Sequence, residues 1–313
     1  MTWLVNLLQV ILFVAAAPLL AGWIKKLKCW SQNRMAPSIL QPYRDLFKLL
    51  RKETVVAENA SWIFHTAPYV IFAVAVLAAA IVPLVAVAVP SARMADIIVL
   101  VGFFALARFF QALAGLDIGT AFGGMGSSRE MTVASLAEPA MLMAVFTLAV
   151  SMSTTNLAAA IETLLHEPVT IRPSFVFAGL ALALVAVAET GRIPVDNPAT
   201  HLELTMIHEA MILEYSGHHL TLIEWAAQIR MMIYAVLLAN IFFPWGLAET
   251  LTPAALGWGV VAVTAKLVAL TVVLVLAEAV LAKMRLFRAP HFLGFAYLLG
   301  LLGMLTHVIL EVG

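Results

Sequence analysis

The sequence predicts an all-α integral membrane bundle of eight transmembrane helices, on three observations. Of its 313 residues, 63% are hydrophobic and 12% charged, where soluble domains carry about 25% charged residues. Eight apolar runs of about 20 residues recur along the chain, each long enough for a hydrocarbon core of about 30 Å. Lys and Arg gather in alternate connections between those runs, the pattern that orients helices in a membrane. No repeat and no dividing linker is visible, so residues 1–313 are read as one polytopic membrane domain.

The first span is expected over 3–24. Lys25, Lys26 and Lys28 follow it rather than precede it. A secretory signal would show a basic start and a shorter apolar core. The next connection, Asn33–Glu53, mixes cations with Leu40, Tyr43, Leu46, Phe47, Leu49 and Leu50. From Tyr43 the apolar residues recur every 3 to 4 positions, which predicts an amphipathic helix after Pro42. It suits a membrane surface, cations toward lipid phosphates, and it equally suits a soluble partner. Spans two to five are expected over 66–89, 95–115, 131–151 and 173–190, and spans six to eight over 225–247, 254–281 and 292–311. Trp225, Trp245 and Trp258 fall near proposed span ends, as interfacial aromatic belts do.

Eight cations follow span one, and Arg129, Arg192, Arg230, Lys283, Arg285 and Arg288 occupy the later odd connections, fourteen of the 18 in all. The even connections hold Arg93 and Arg172. Cation-rich loops stay cytoplasmic, so both termini are expected outside the cytoplasm and the segment 188–217 inside it.

Net charge is zero, and nothing in the sequence suggests nucleic acid. A single cysteine, Cys29, cannot form a disulfide within the chain or hold an iron–sulfur cluster. The histidines show no metal-ligand spacing. His201 and His208 are seven apart, His218 and His219 are adjacent in an expected loop, and His291 and His307 sit at opposite ends of one span. No cofactor is expected on this chain.

Charge is concentrated in AETGRIPVDNPATHLELTMIHEAMILEYSG, which holds Glu189, Arg192, Asp196, Glu203, Glu209 and Glu214 within 30 residues. Ionisable groups at a membrane are costly and point to function. A solvated loop between two spans is the plain alternative. Four further charges lie inside spans: Arg108, Glu138 beside Pro139, Lys266 and Glu278. Facing lipid at mid-depth, each would cost about 3 kcal/mol. They are expected to face the bundle interior, either as a hydrated line of proton-exchanging groups or as structural ion pairs, such as Arg108 with Glu138 or Lys266 with an acid on a neighbouring subunit.

Four blocks resemble one family, subunit 1 of respiratory complex I with its relatives in membrane-bound nickel–iron hydrogenases and formate hydrogenlyase. They are LQPYRDLFKLL within Asn33–Glu53, Ala67–Pro68–Tyr69, GSSREMTVASLAEP over Gly126–Pro139, and AETGRIPVD…HLEL…LEYSG. The quinone-reducing members read PFDL followed by closely spaced acids. Here PVDNPATHLEL has Ala199 and His201 at two of those acid positions, and this variant resembles the ferredoxin-linked or carbon-monoxide-linked energy-converting hydrogenases.

The resemblance implies a multi-pass subunit of the cell inner or plasma membrane that anchors and ion-couples a hydrogenase-type complex. Its expected partners are large and small hydrogenase-type subunits carrying the nickel–iron and iron–sulfur centres, antiporter-like membrane subunits, and lipid. It implies a proton or ion path through Glu138, Glu189, Glu203, Glu278 and Lys266. Docking and coupling fall to Arg129, Arg192, Asp196, Glu209, Glu214 and Tyr215. Arg192 is expected to hold Asp196 or a partner acid, and Glu203 and Glu209 to bracket a hydrated cavity. The runner-up is a quinone-binding membrane subunit of an NADH-type dehydrogenase. A lone secondary transporter would show an inverted repeat or paired broken spans, and neither is visible.

Overall fold

The computed structural model describes residues 2–166, 172–196, 206–282, 284 and 288–311. Eleven α-helices run in chain order among the described residues: α1 Thr2–Ser31, α2 Gln41–Leu50, α3 Trp62–Ile81, α4 Ile97–Asp117, α5 Ala121–Ser151, α6 Leu157–His166, α7 Pro173–Glu189, α8 His208–Ile212, α9 Gly217–Phe242, α10 Pro253–Val280 and α11 Ala289–Thr306. No strand occurs among the described residues; extended backbone meets only at the bridges Ala86–Ala248 and Asp96–Asn156. The protein is an all-helical membrane protein.

Among the described residues, seven helices are long and apolar enough to cross a membrane: α1, α3, α4, α5, α9, α10, and α11 with the π turn His307–Glu311 that extends it. The fifth predicted span is α7, 17 residues long and therefore about 25 Å in length. α9 lies at the centre and is the most enclosed, whereas α1, α10 and α11 lie at the periphery. α5, α7 and α11 pack as one group and α3, α4 and α9 as another, joined where α4 meets α5.

Three of the span boundaries that move bear on the site and its surroundings. α3 ends at Ile81, not 89. Pro83 and Pro90 cannot donate to a helix ladder, and Val82–Val89 leaves the helix while remaining largely buried. Its backbone is satisfied from elsewhere, as burial requires. Val85 and Ala86 N–H donate to Gln9 Oε1 at 3.2 and 3.0 Å, and Asn240 Nδ2 donates to Pro83 O at 2.9 Å. α5 begins at Ala121, ten residues before the predicted 131, with Thr120 accepting from Gly123 N–H at its N-cap. The run GGMGSS lacks an apolar signal because its small residues serve close packing. A Cβ on Gly126 would sit 2.9 Å from Ala210 Cβ, on α8.

α9 begins at Gly217, so His218 and His219 are helical rather than in a loop. Trp225 is then two turns inside α9, and its Nε1 donates to Val14 O at 3.0 Å. It is a packing residue against α1, not a belt residue, whereas Trp245 and Trp258 are exposed. The predicted amphipathic helix is α2, with Leu46 buried and Phe47 and Leu50 outward. Tyr43 anchors it to α1 by donating to Ala15 O.

Candidate functional site

Arg108 lies on the face of α4 that also buries Phe104, Ala107, Gln111 and Gly115. Only 3% of it is exposed. A guanidinium carries its charge wherever it sits, so this burial needs acids around it. Three arrive from two helices. Glu138 of α5 accepts from Nη1 at 2.8 Å, Glu189 at the end of α7 accepts from Nη2, and Glu130 of α5 lies 3.6 Å from Nε. Glu130 and Glu138 are eight residues apart, about 12 Å along the helix and about 80° around it, so one planar guanidinium can reach both.

His208 of α8 extends the cluster. Its Nε2 is 3.4 Å from Glu130 Oε2 and its Nδ1 is 3.4 Å from Asp196 Oδ2. Burial disfavours the imidazolium, but Glu130 and Asp196 outweigh burial and the repulsion from Arg230, holding His208 above its usual range. Alongside lies a cavity of about 140 Å³ lined by Gln111, Glu189, Asp196, His208, Glu209, Glu224 and Arg230 among others. A liquid water occupies about 30 Å³, so the space and its polar walls suit several waters.

The charges do not balance. Glu130, Glu138, Glu189 and Asp196 face two permanent cations, Arg108 and Arg230, and the titratable His208. Glu209 and Glu224 line the same cavity, so among the described residues carboxylates outnumber cations here whether His208 is neutral or protonated.

Of the residues singled out from the sequence, Glu138, Glu189, Asp196 and Glu209 come together at this cluster and cavity. Glu138 reaches Arg108, yet 40% of its side chain is exposed at the outer surface of α5. Glu203 lies outside the described residues. Glu278 belongs to a second assembly. Lys28 of α1 holds its Oε2 at 3.1 Å, and Arg192 holds its Oε1 at 3.3 Å. The expected pairing of Arg192 with Asp196 is therefore corrected: among the described residues its carboxylate partner is Glu278, and Asp196 sits against His208 instead.

Lys266 is 3.4 Å from Asn240 Oδ1 and meets no carboxylate among the described residues. Arg129 donates to Met206 O at 2.9 Å, tying α5 to the chain before α8. Tyr215 is a buried anchor stacked on Phe64 at 3.9 Å, its hydroxyl donating to Phe64 O. Burial, and secondarily Asp117, pushes its phenol up. Glu214 is exposed between α8 and α9.

Sequence reasoning missed Glu130, and it treated His208 only as part of a histidine spacing. Glu130 fell one residue before the expected start of span four. The N-cap at Thr120 was the signal that would have extended the helix and put Glu130 and Glu138 on neighbouring faces.

Residues 4–309 match the family model described as NADH dehydrogenase. The chain is similar to formate hydrogenlyase subunit 4 of Escherichia coli (strain K12), 33% identical over 302 residues, covering 95% of this chain and 97% of the relative. It is 32% identical to hydrogenase-4 component C of the same organism, covering 93% and 91%. An NADH-quinone oxidoreductase subunit of Thermomicrobium roseum is 32% identical, covering 67% and 66%. A chain in the structure of the membrane-bound sulfane sulfur reductase, an archaeal respiratory membrane complex, superposes with a TM-score of 0.81 at 16% identity, covering 97% and 98%. That likeness speaks to the fold alone.

Proposed function

Because the chain belongs to the NADH dehydrogenase family of complex I subunit 1, we propose that it is the membrane anchor and ion-coupling subunit of a multi-subunit hydrogenase-type complex. Full-length similarity to formate hydrogenlyase subunit 4 and hydrogenase-4 component C supports this over a role in an NADH-quinone oxidoreductase, whose Thermomicrobium roseum subunit matches about two thirds of the chain.

The observation that carries the proposal is the Arg108 cluster: three carboxylates from α5 and α7 on one buried guanidinium, continued through His208 to the cavity. α7 acts as the eighth span, with both termini outside the cytoplasm, as the cation asymmetry of the connections supports. The cavity then opens toward the cytoplasm, where the soluble arm docks on the 188–217 segment and on α2. With one cysteine, the chain leaves the nickel–iron and iron–sulfur centres to partner subunits. Docking or redox change in that arm displaces the loop, shifts the charge balance around Arg108, and loads or releases a proton. The exposed side of Glu138 passes it on to a neighbouring antiporter-like membrane subunit.

Glu189→Gln is the test. It removes one charge of the cluster while keeping the shape. In vesicles holding the whole complex, protons moved per electron should fall sharply while the soluble arm still co-purifies. A variant that assembles and pumps like wild type refutes the coupling role.

A further inference from the structure

Resting on that reading, we propose that His208 is the proton bridge from the cavity to the Arg108 cluster. Its two ring nitrogens face carboxylates on different elements. Nδ1 points at Asp196, which lines the cavity, and Nε2 points at Glu130, which reaches Arg108. An imidazole between two acids can accept a proton at one nitrogen and release another from the other.

Two independent features mark the place as built. First, His208 Nε2 and Glu130 Oε2 are both buried, and neither has a hydrogen-bond partner among the described residues. They face each other at 3.4 Å, slightly beyond the 2.7–3.2 Å of an N–H···O bond. An approach of a few tenths of an ångström closes it, and α8, which carries His208, is a single short turn of five residues. Second, the ring needs the glycine beneath it. Gly191 has φ +60°, and a Cβ there would sit 3.0 Å from His208 Nδ1. The turn that ends α7 is thus shaped around the imidazole.

The step balances. Starting from the neutral ring protonated at Nε2, Nδ1 takes a proton from the Asp196 carboxyl or a cavity water. The Nε2–H bond breaks and an O–H bond forms on Glu130. The ring is left neutral with its proton on Nδ1, and rotation or exchange through cavity water resets it. The charged groups that meet the ring are Glu130 from α5 and Asp196 from the loop, and those that share its cavity are Glu189 from α7, Glu209 from α8, and Glu224 and Arg230 from α9. Four of these acids and Arg230 line the same cavity as His208.

His208→Gln, in the intact complex reconstituted in vesicles, is the decisive variant, because glutamine keeps a donor and an acceptor but cannot relay. General acid–base groups contribute about 10² to 10⁴ in rate, so the initial rate of coupled proton movement should fall at least about tenfold, and the alkaline decline of coupling should vanish from its pH profile. Free imidazole should restore part of the coupling in His208→Ala, a rescue that a packing role does not allow. Glu189→Gln separates the two levels of the argument. If it uncouples while His208→Gln pumps normally, protons enter through Glu189 and the bridge is overturned alone. If both pump normally, the coupling reading falls with it. An assembled His208→Ala that imidazole leaves uncoupled also overturns the bridge.

Discussion

Replacing Arg108 with Met tests the centre of the cluster. Methionine keeps most of the length and the apolar stem but deletes the charge. It leaves Glu189 buried without its cation and Glu130 with His208 alone, while Glu138 keeps access to the outside. Removing one partner of a buried ion pair costs about 3–5 kcal/mol, because the survivor is left uncompensated. The Glu138 arm is discounted, since 40% of that side chain is exposed. The Glu130 arm is discounted too, at 3.6 Å from Nε. The Glu189 arm, a direct contact between two nearly fully buried groups, dominates. The expected loss is therefore about 3 kcal/mol, roughly a hundredfold in the folded fraction. Thermal unfolding of the purified protein in detergent reads it. Arg108→Met/Glu189→Gln should recover more than half, because the dominant orphan is gone, and the cycle of single and double variants isolates that coupling. An Arg108→Met protein as stable as wild type, or a double variant less stable than the single, refutes the view that these acids depend on the guanidinium.

Glu278→Gln should free Arg192 and Lys28 together, since one carboxylate holds both. Faster proteolysis of the 188–217 segment and weaker co-purification of the soluble arm check this, and unchanged cleavage counts against it. His208 should make stability pH-dependent. Its folded value is raised, so its contribution is complete below about pH 6.5 and is lost as pH rises through the raised value. The difference in unfolding temperature between wild type and His208→Gln, measured across that range, should shrink with rising pH. A Cβ on Gly126 meets Ala210 on α8 at 2.9 Å, so Gly126→Leu should cost about 1–3 kcal/mol of overpacking and displace α8, visible as lost protection of the His208–Ile212 amides from hydrogen exchange. Reporter fusions should find both termini outside the cytoplasm, and a cytoplasmic C-terminus defeats the orientation.

Periodicity, length and charge placement were enough to read the helical membrane class, the amphipathic helix after Pro42, and the concentration of charge that brings Glu138, Glu189 and Asp196 together. Those are local properties: an apolar run of 20 residues has one cheap environment, and a carboxylate inside it must find a cation or a proton. Two kinds of information were not local. The first is where helices end. α5 extends ten residues beyond its apolar run, because its Gly- and Ser-rich start is stabilised by packing on α8 rather than by lipid, and the extension brings Glu130 into the cluster. The second is which charge meets which. Arg192 lies four residues from Asp196, yet the fold turns it to Glu278, 86 residues away, and gives Asp196 to His208. Attraction between unit charges favours any close pair alike. Only the tertiary packing that brings α1, α10 and the turn after α7 together decided which partners came within 4 Å.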